Sequence, residues 1–244
     1  MIDLHCHVLP ALDDGPQSLA EALAMARIAV NTGTATLVAT PHIDTHWRVS
    51  PLEIRPRAQS LSRSLREEGI ELEVATGGEI ALSRYVDLGE DELEQLRLGG
   101  GPYLLLECPL SPTAGDFDVL LARIRSRGES IVLAHPERSP LFQKEPERLV
   151  KLLEAGLLCS ITAGSIRGEF GGRARLLAIE LLRNGLVHNV ASDCHDAQRR
   201  TPGLDDALAY AEAELPGVSS QRDWLMRLVP AAILAGAPLP PRPA

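Results

Sequence analysis

A chain of 244 residues with 45% hydrophobic residues can bury a substantial core, in one large α/β domain or in two small ones. Its formal net charge of −9 argues against nucleic acid as the main partner, because binding to a phosphate backbone depends on Lys and Arg. The aromatic content of 3% offers no stacking surface for single-stranded nucleic acid.

The cysteine pattern and the N-terminus indicate a cytoplasmic protein. The four cysteines form no CxxC pair and no spacing typical of disulfides, which favours a reducing compartment. An acidic residue and two histidines within the first seven positions argue against a cleavable signal sequence. Because no apolar run approaches the roughly 18 residues of a membrane-spanning helix, no membrane span is predicted.

In chain order, short apolar runs alternate with stretches of helical periodicity. The first predicted strand ends at His5 and His7. The later predicted strands are Thr34–Thr40, Ile70–Ala75, Tyr103–Leu106, Ser130–Ala134, Leu158–Thr162 and Leu186–Ala191. The predicted helices are Ser18–Asn31, Ser50–Gly69, Asp91–Arg97, Phe117–Arg127, Glu145–Ala155, Gly171–Asn184, Asp205–Leu215 and Gln221–Leu228.

This alternation of strands and helices implies a parallel sheet, in a closed barrel or an open doubly wound fold. The chain has no G-x-G-x-x-G after the first strand and no phosphate-binding G-x-x-x-x-G-K-[ST], which argues against the common nucleotide-binding folds. Ser18 and Glu21 predict a capping box, and Pro56 predicts an early break or kink in the second long helix. The chain is predicted to form one domain over residues 1–244, with the Pro-rich tail 238–244 outside it.

Metal-ligating side chains follow almost every predicted strand. They are His5 and His7 after the first, His42 after the second, Glu79 after the third, Glu107 after the fourth, His135 after the fifth, and Asp193 and His195 after the seventh. In a barrel of parallel strands these ends gather at one mouth, where such folds hold their sites. Asp14, in the turn after the first strand, brings a ninth potential ligand there.

Each of these residues alone has an ordinary structural interpretation, such as a helix cap, a turn or a surface ion pair. Six strands that all end in His, Asp or Glu favour a shared metal site, and only His46 and His188 remain outside it. Nine ligands are too many for one tetrahedral zinc ion but fit two or three cations, and such clusters hydrolyse phosphate esters. Arg138 and Arg200 lie near these ligands and favour phosphate binding, since guanidinium groups bind phosphate in a bidentate fork.

These residues lie within motifs that resemble the PHP (polymerase and histidinol phosphatase) superfamily. Within it, the chain resembles the bacterial metal-dependent protein-tyrosine phosphatases of capsular and extracellular polysaccharide loci (CpsB/CapC-like). The motifs are DLHCHVLPALDDG (3–15), ATPH (39–42), GGEI (77–80), LLLE (104–107), AHPER (134–138), SDCH (192–195) and LVPAAILAG (228–236).

The resemblance implies a distorted (β/α)7 TIM-like barrel of the PHP type with a three-metal site. One metal would take His5, His7, Glu79 and Asp193. A second would take Glu79, Glu107 and His135, and a third would take Asp14, His42 and His195. Arg138 and Arg200 would bind or help to expel the phosphoryl group.

The implied reaction is hydrolysis of phosphotyrosine on a protein by attack of a metal-bound hydroxide. Manganese is the expected metal, with iron or zinc as alternatives. The implied substrate is the autophosphorylated tail of a bacterial tyrosine kinase of polysaccharide export. The chain departs from the family pattern at Ala11, where glycine is usual, at Val229, where asparagine is usual, and at Cys194.

Three other functions are compatible with the same sequence. The metal site could serve a small-molecule phosphatase of the histidinol-phosphate type or a phosphodiesterase. Cys194 and Arg200 have the C-x5-R spacing of cysteine-dependent phosphatases, although their loop lacks the glycines that cradle phosphate. A non-catalytic binding module is the third, but it gives no reason for nine ligands to lie together.

Overall fold

The computed structural model of the protein describes residues 1–111 and 117–243. The strands within these ranges are β1 (Ile2–Cys6), β2 (Thr36–Ala39), β3 (His42–Ile43), β4 (Glu73–Thr76), β5 (Glu79–Ala81), β6 (Tyr103–Glu107), β7 (Ser130–Ala134), β8 (Leu158–Thr162) and β9 (Asn189–Ala191). The α-helices are α1 (Leu19–Asn31), α2 (Pro51–Glu67), α3 (Leu82–Tyr85), α4 (Glu90–Leu96), α5 (Phe117–Ser126), α6 (Pro140–Lys144), α7 (Pro146–Glu154), α8 (Ala163–Arg167), α9 (Gly172–Arg183) and α10 (Val229–Ala235).

Every pairing between these strands is parallel, in the orders β1-β2-β4 and β3-β5-β6-β7-β8-β9. The strands occupy seven positions, because β2 with β3 and β4 with β5 are each one strand interrupted by two residues. The end of β9 meets β1, where the Asp193 N–H donates to the His5 carbonyl and the His7 N–H donates to the Cys194 carbonyl, both at 2.9 Å. The predicted (β/α)7 TIM-like barrel is confirmed.

The core lies between the strands and the surrounding helices. Most strands are buried on both faces and therefore appear in the sequence as continuous apolar runs, and Leu104, Leu105 and Leu106 of β6 are all fully buried. Helix α1 packs its Ala-rich face against this layer, with Ala22, Met25 and Ala26 buried. Burial of each large aliphatic side chain stabilises the fold by roughly 1.5–3 kcal/mol.

Several predicted boundaries agree with the structure and several do not. The predictions for β7 and β8 are confirmed, and the Ser18 side chain caps α1 by accepting the Glu21 N–H. The capping box is only half formed, because the Glu21 carboxylate accepts from the Gln17 N–H instead of the Ser18 N–H.

Helix α2 does not break at Pro56, because it continues from Pro51 to Glu67, and the alternative of a kink there stays a prediction. Pro56 lies near the helix start and is exposed, so water can satisfy the carbonyl that its missing N–H leaves free. The predicted helix Asp205–Leu215 is reduced to a 3-10 segment, Ala207–Ala211. The predicted helix Gln221–Leu228 is a 3-10 segment, Val218–Gln221, followed by π-helical Trp224–Leu228, which leads into α10.

The tail after α10 lies against the outside of the barrel. The Trp224 indole N–H donates to the Pro240 carbonyl at 3.1 Å, and the Arg242 guanidinium lies 4.1 Å from the Trp224 ring centroid. Among the described residues, none of the helices combines the length and the apolar character needed to cross a membrane.

Candidate metal centre

The nine predicted ligands come together at one mouth of the barrel in four overlapping groups. Seven of them lie near or beyond the C-terminal ends of strands, whereas His42 and Glu79 are the first residues of the short strands β3 and β5. Two of them, His135 after β7 and Asp193 after β9, have left-handed backbones, with φ of 34° and 52°. Such conformations cost non-glycine residues roughly 1–2 kcal/mol, and they are concentrated at sites where a side chain must point in a particular direction. Here they turn an imidazole and a carboxylate into the mouth.

The histidine pair of β1 faces the carboxylate that follows β9. The Nε2 atoms of His5 and His7 lie 3.2 Å apart, and each is within 3.5 Å of Asp193 Oδ1. All three side chains are buried. Three ligand atoms converge here with the spacing that a shared cation requires.

Glu79 lies at the centre of the cluster. Its Oε1 lies 2.7 Å from His135 Nε2, and its Oε2 lies 3.0–3.3 Å from nitrogens of His5, His7 and His42. Burial alone would raise the pKa of Glu79, but the charge of His5 and the hydrogen bond from His135 lower it well below its ordinary value. An ionised carboxylate surrounded by imidazoles is suited to bridging two cations.

A second group of ligands lies on the outer side of Glu79. Asp14 Oδ1 lies 3.2 Å from His195 Nε2 and 3.4 Å from His42 Nε2. His7 completes this group, and Asp14 is its exposed member. Glu107 lies with His42 and Glu79, and its pKa is raised to about 7 by burial and by the negative charge of Glu79. A cation bound there would favour the ionised form of Glu107.

These groups divide the ligands somewhat differently from the predicted three-metal arrangement. The structure places Asp14, His42 and His195 together as predicted, and it places His5 and His7 with Asp193. It groups Glu107 with His42 instead of His135, and it adds His7 to the Asp14 group. The assignment of each residue to a particular metal therefore stays a prediction.

Several polar atoms of the cluster lack hydrogen-bond partners in the part of the protein that the structure describes and are available to bind cations. Four buried atoms of the candidate ligands have no hydrogen-bond partner among the described residues: His42 Nδ1, Glu79 Oε2, His135 Nδ1 and His195 Nε2. Buried polar atoms left without partners are costly in a folded protein. Imidazole and carboxylate donors suit manganese, iron or zinc.

Asp13 is a site residue that sequence reasoning treated only as part of a turn. Its Oδ2 accepts from the His7 Nδ1–H at 2.7 Å and from the His42 N–H at 3.0 Å. Burial would raise the pKa of Asp13, but the hydrogen bond and the charge of His7 outweigh it and lower the pKa. Because Asp13 holds the proton on Nδ1, His7 Nε2 is free to face the cluster.

Two arginines lie over the cluster. Arg138, in the 3-10 turn after β7, and Arg200, after β9, both donate to the same oxygen of Asp193, Oδ2. Arg200 Nε is buried and has no hydrogen-bond partner among the described residues. Two guanidinium groups at the mouth leave donors for an anion that enters it.

The sequence profile of the family described as "Capsular polysaccharide synthesis, CpsB/CapC" matches residues 1–227 of the chain. The chain belongs to this family. The tyrosine-protein phosphatase YwqE of Bacillus subtilis (strain 168) is 35% identical over 215 residues, which cover 88% of this chain and 85% of that protein. The tyrosine-protein phosphatase CpsB of Streptococcus agalactiae is 29% identical over 223 residues, with 85% of this chain and 88% of that protein covered.

The fold agrees with a solved structure in this family. The crystal structures of YwqE from Bacillus subtilis and CpsB from Streptococcus pneumoniae are described as those of unique metal-dependent tyrosine phosphatases. One chain from these structures superposes on this protein with a TM-score of 0.84. The identity is 32%, and the alignment covers 100% of this chain and 99% of that chain. The predicted resemblance to the CpsB/CapC type is confirmed.

Cys194, the departure from the family pattern beside two candidate ligands, does not face the mouth. It is fully buried, and its Sγ lies 2.8 Å from the Sγ of Cys6 on β1. Cys6 lies between His5 and His7, and alternate residues of a strand point to opposite sides, so Cys6 and the Cys194 thiol beside it face away from the cluster. His46, one of the two histidines outside the cluster, lies on the loop after β3 with its ring 5.0 Å from Trp47.

Proposed function

We propose that this CpsB/CapC-family protein is a metal-dependent phosphatase that hydrolyses phosphotyrosine on proteins. The observation that carries the proposal is the convergence of nine imidazole and carboxylate ligands beneath two arginines at one barrel mouth. Relatives that are 35% and 29% identical bear the name tyrosine-protein phosphatase. A site of this composition combines cation ligands with phosphate-binding cations, as phosphate-ester hydrolysis requires.

The candidate ligands are His5, His7, Asp14, His42, Glu79, Glu107, His135, Asp193 and His195. Together they would hold two or three divalent cations, with manganese as the expected metal. When bound, these cations supply water activation and neutralise the charge that develops on the phosphoryl oxygens.

The arginines and Asp13 act on either side of the ligands. Arg138 and Arg200 bind the phosphoryl oxygens through the donors that are not used by their carboxylate partner, Asp193 Oδ2. Guanidinium groups placed where negative charge develops stabilise the transition state without further rearrangement. Asp13 keeps His7 in the tautomer that exposes Nε2, so the ligand set remains fixed through the reaction.

A mechanism based on a Cys194 nucleophile finds no support in the described residues. The thiol is buried against Cys6 on the side of the chain away from the arginines. An in-line attack on phosphorus requires the nucleophile to contact the phosphoryl group. The serine variant of Cys194 should therefore remain active, whereas a chelator should remove activity.

We further propose that the substrate is the phosphorylated tail of a bacterial tyrosine kinase that controls polysaccharide export, and that the protein acts in the cytoplasm. The family description places its members in capsular polysaccharide synthesis. The alternatives, a phosphatase for histidinol phosphate or a phosphodiesterase, use the same ligands and differ in the leaving group. Substrate comparison, not site composition, distinguishes them.

The test is hydrolysis by the purified full chain of a phosphotyrosine peptide, histidinol phosphate and a phosphodiester, each with manganese, iron, zinc or chelator. We expect the peptide to be preferred and the chelator to abolish turnover. His135→Ala should reduce turnover at least 100-fold, because it removes a predicted ligand. His46→Ala is the matched control, since His46 lies outside the cluster. Chelator-resistant turnover, or preference for histidinol phosphate, would contradict the proposal.

A further inference from the structure

Phe170 contacts both arginines at the mouth. It lies on the loop between α8 and α9, and its ring centroid is 4.1 Å from the guanidinium carbon of Arg138 and 5.7 Å from that of Arg200. The topology accounts for this position. Arg138 follows β7 and Arg200 follows β9, whereas Phe170 follows β8, which lies between those two strands.

The loop that carries Phe170 is held in a defined conformation. The Glu169 N–H donates to the Gly164 carbonyl at 2.9 Å, which folds the loop back onto α8. Gly168 and Gly171 flank the segment with φ of 88° and 89°, values that L side chains rarely adopt. A Cβ at Gly164 would lie 2.8 Å from Phe170 Cε2, so the ring rests directly on the backbone there.

The arginines need such a partner because their charges are alike. Both guanidinium groups donate to Asp193 Oδ2, so they are brought close to each other. Asp193 is also a predicted metal ligand, and its charge is therefore shared between cations and arginines. Phe170 is the other side chain that both guanidinium groups contact among the described residues. The negative face of an aromatic ring attracts cations without adding an anion that would repel phosphate.

We propose that Phe170 is a positioning residue that holds Arg138 and Arg200 side by side to receive the phosphoryl group. This proposal rests on the proposed phosphatase function. The ring constrains the guanidinium groups before the phosphoryl group arrives, which lowers the entropy lost on binding. A neutral ring also leaves the arginine donors available, including the unpartnered Nε of Arg200.

The test compares Phe170→Leu, which keeps apolar volume without a ring face, with Phe170→Tyr, which keeps the face. Kinetics with a phosphotyrosine peptide are measured together with calorimetric binding of inorganic phosphate to the manganese-loaded protein. For Phe170→Leu we expect KM and the phosphate Kd to rise roughly five- to twentyfold, with the metal content unchanged. Phe170→Tyr should restore both values to within about twofold.

Phe117→Leu is the matched control, because the Phe117 ring lies 5.8 Å from the Arg148 guanidinium carbon and outside the mouth. It loses the same kind of contact and should leave KM and phosphate binding unchanged. The effect of Phe170→Leu should also disappear in an Arg138→Ala, Arg200→Ala background, because interacting residues are not additive.

Two results would overturn the proposal. One is unchanged phosphate binding in a folded, metal-loaded Phe170→Leu protein, and the other is an equal loss in the Tyr variant. Failure of the phosphatase function has a different signature. The wild type would then bind phosphate without hydrolysing the peptide, and the binding comparison would still decide the role of Phe170.

Discussion

At the scale of single residues, the orientation of His7 depends on a partner outside the ligand set, Asp13. The Asp13 carboxylate fixes the proton of His7 and also accepts from the backbone N–H of His42. The sequence contains two adjacent aspartates, Asp13 and Asp14. Composition and spacing alone cannot distinguish the orienting carboxylate from the candidate ligand, because the turn geometry decides which one faces the cluster.

Asp13→Asn should lower metal affinity and turnover by roughly 10- to 100-fold, because the amide is a weaker acceptor for the His7 Nδ1–H. Metal content after dialysis and kcat at saturating manganese measure the two effects. Asp223→Asn is the control, since Asp223 is an exposed carboxylate outside the cluster that accepts from the Arg227 guanidinium. Equal metal retention by wild type and Asp13→Asn would exclude this orienting role.

The backbone conformation of Ala11 leads to a second prediction at this scale, which concerns the stability of the fold and not the activity of the protein. Its φ of 52° lies in the left-handed region, which explains why glycine is the usual residue at this position of the motif. Ala11→Gly should raise the free energy of unfolding by up to about 1 kcal/mol, because relief of strain exceeds the added entropy of the unfolded chain. Denaturant unfolding of both proteins measures the change. A loss of stability would show that the turn does not strain Ala11.

At the scale of elements, the predictions succeeded where burial dictates the pattern. Strands β7 and β8 are short apolar runs buried on both faces, and their predicted bounds are confirmed. Prediction failed where the chain interrupts a strand. His42 and Glu79 were expected at strand ends, but they begin the short strands β3 and β5 after breaks at Thr40–Pro41 and Gly77–Gly78. Such breaks depend on packing across the barrel, which no local pattern contains.

The loop 168–171, between α8 and α9, is a second element that the sequence did not explain. No periodicity or motif singled out Phe170, which reaches the arginines only because β8 lies between β7 and β9. Long-range neighbours of this kind are set by the order of strands in the sheet. The convergence of ligands could be predicted for the opposite reason, since parallel strands bring all of their C-terminal ends to one mouth.

The junction of β8 and β9 supplies a prediction about pH. His188, which lies within the predicted strand Leu186–Ala191, precedes β9 in the structure, and its Nδ1 accepts from the Cys159 N–H at 3.1 Å. Burial and the nearby charge of Arg242 lower the pKa of His188 to about 4. The unfolded chain, with a histidine pKa of about 6.5, therefore binds the proton first as the pH falls.

The stabilising effect of neutral His188 is thus complete above about pH 6.5 and is lost as the pH falls towards 4. His188→Gln keeps an acceptor but does not titrate. The wild type should lose about 1 kcal/mol more stability than this variant between pH 7.5 and 5, with allowance for partial exposure. Urea unfolding at the two pH values measures the difference. Parallel losses in both proteins would rule out this contribution from His188.

At the scale of the whole molecule, the candidate ligands connect elements that are distant in sequence. Cations that bind this set should stabilise the entire barrel, because they bind the folded chain and not the separated segments. Chelation should lower Tm by several degrees, and added manganese should restore it. The difference in Tm between the chelated and the manganese-loaded protein should be smaller in His135→Ala and unchanged in His46→Ala. A Tm that is insensitive to chelator would mean that the cluster holds no stabilising cation.

The seam between β1 and β9 also bears on synthesis of the chain. Cys6 and Cys194 meet across this seam although they are 188 residues apart. At roughly 5–20 residues per second, the ribosome adds the β9 ligands about 10–40 s after the His5–His7 pair. During that interval the two histidines have neither Asp193 nor His195 beside them. A nascent chain that ends before His195 therefore lacks part of the ligand set, and complete metal loading has to wait until the last strand has joined β1.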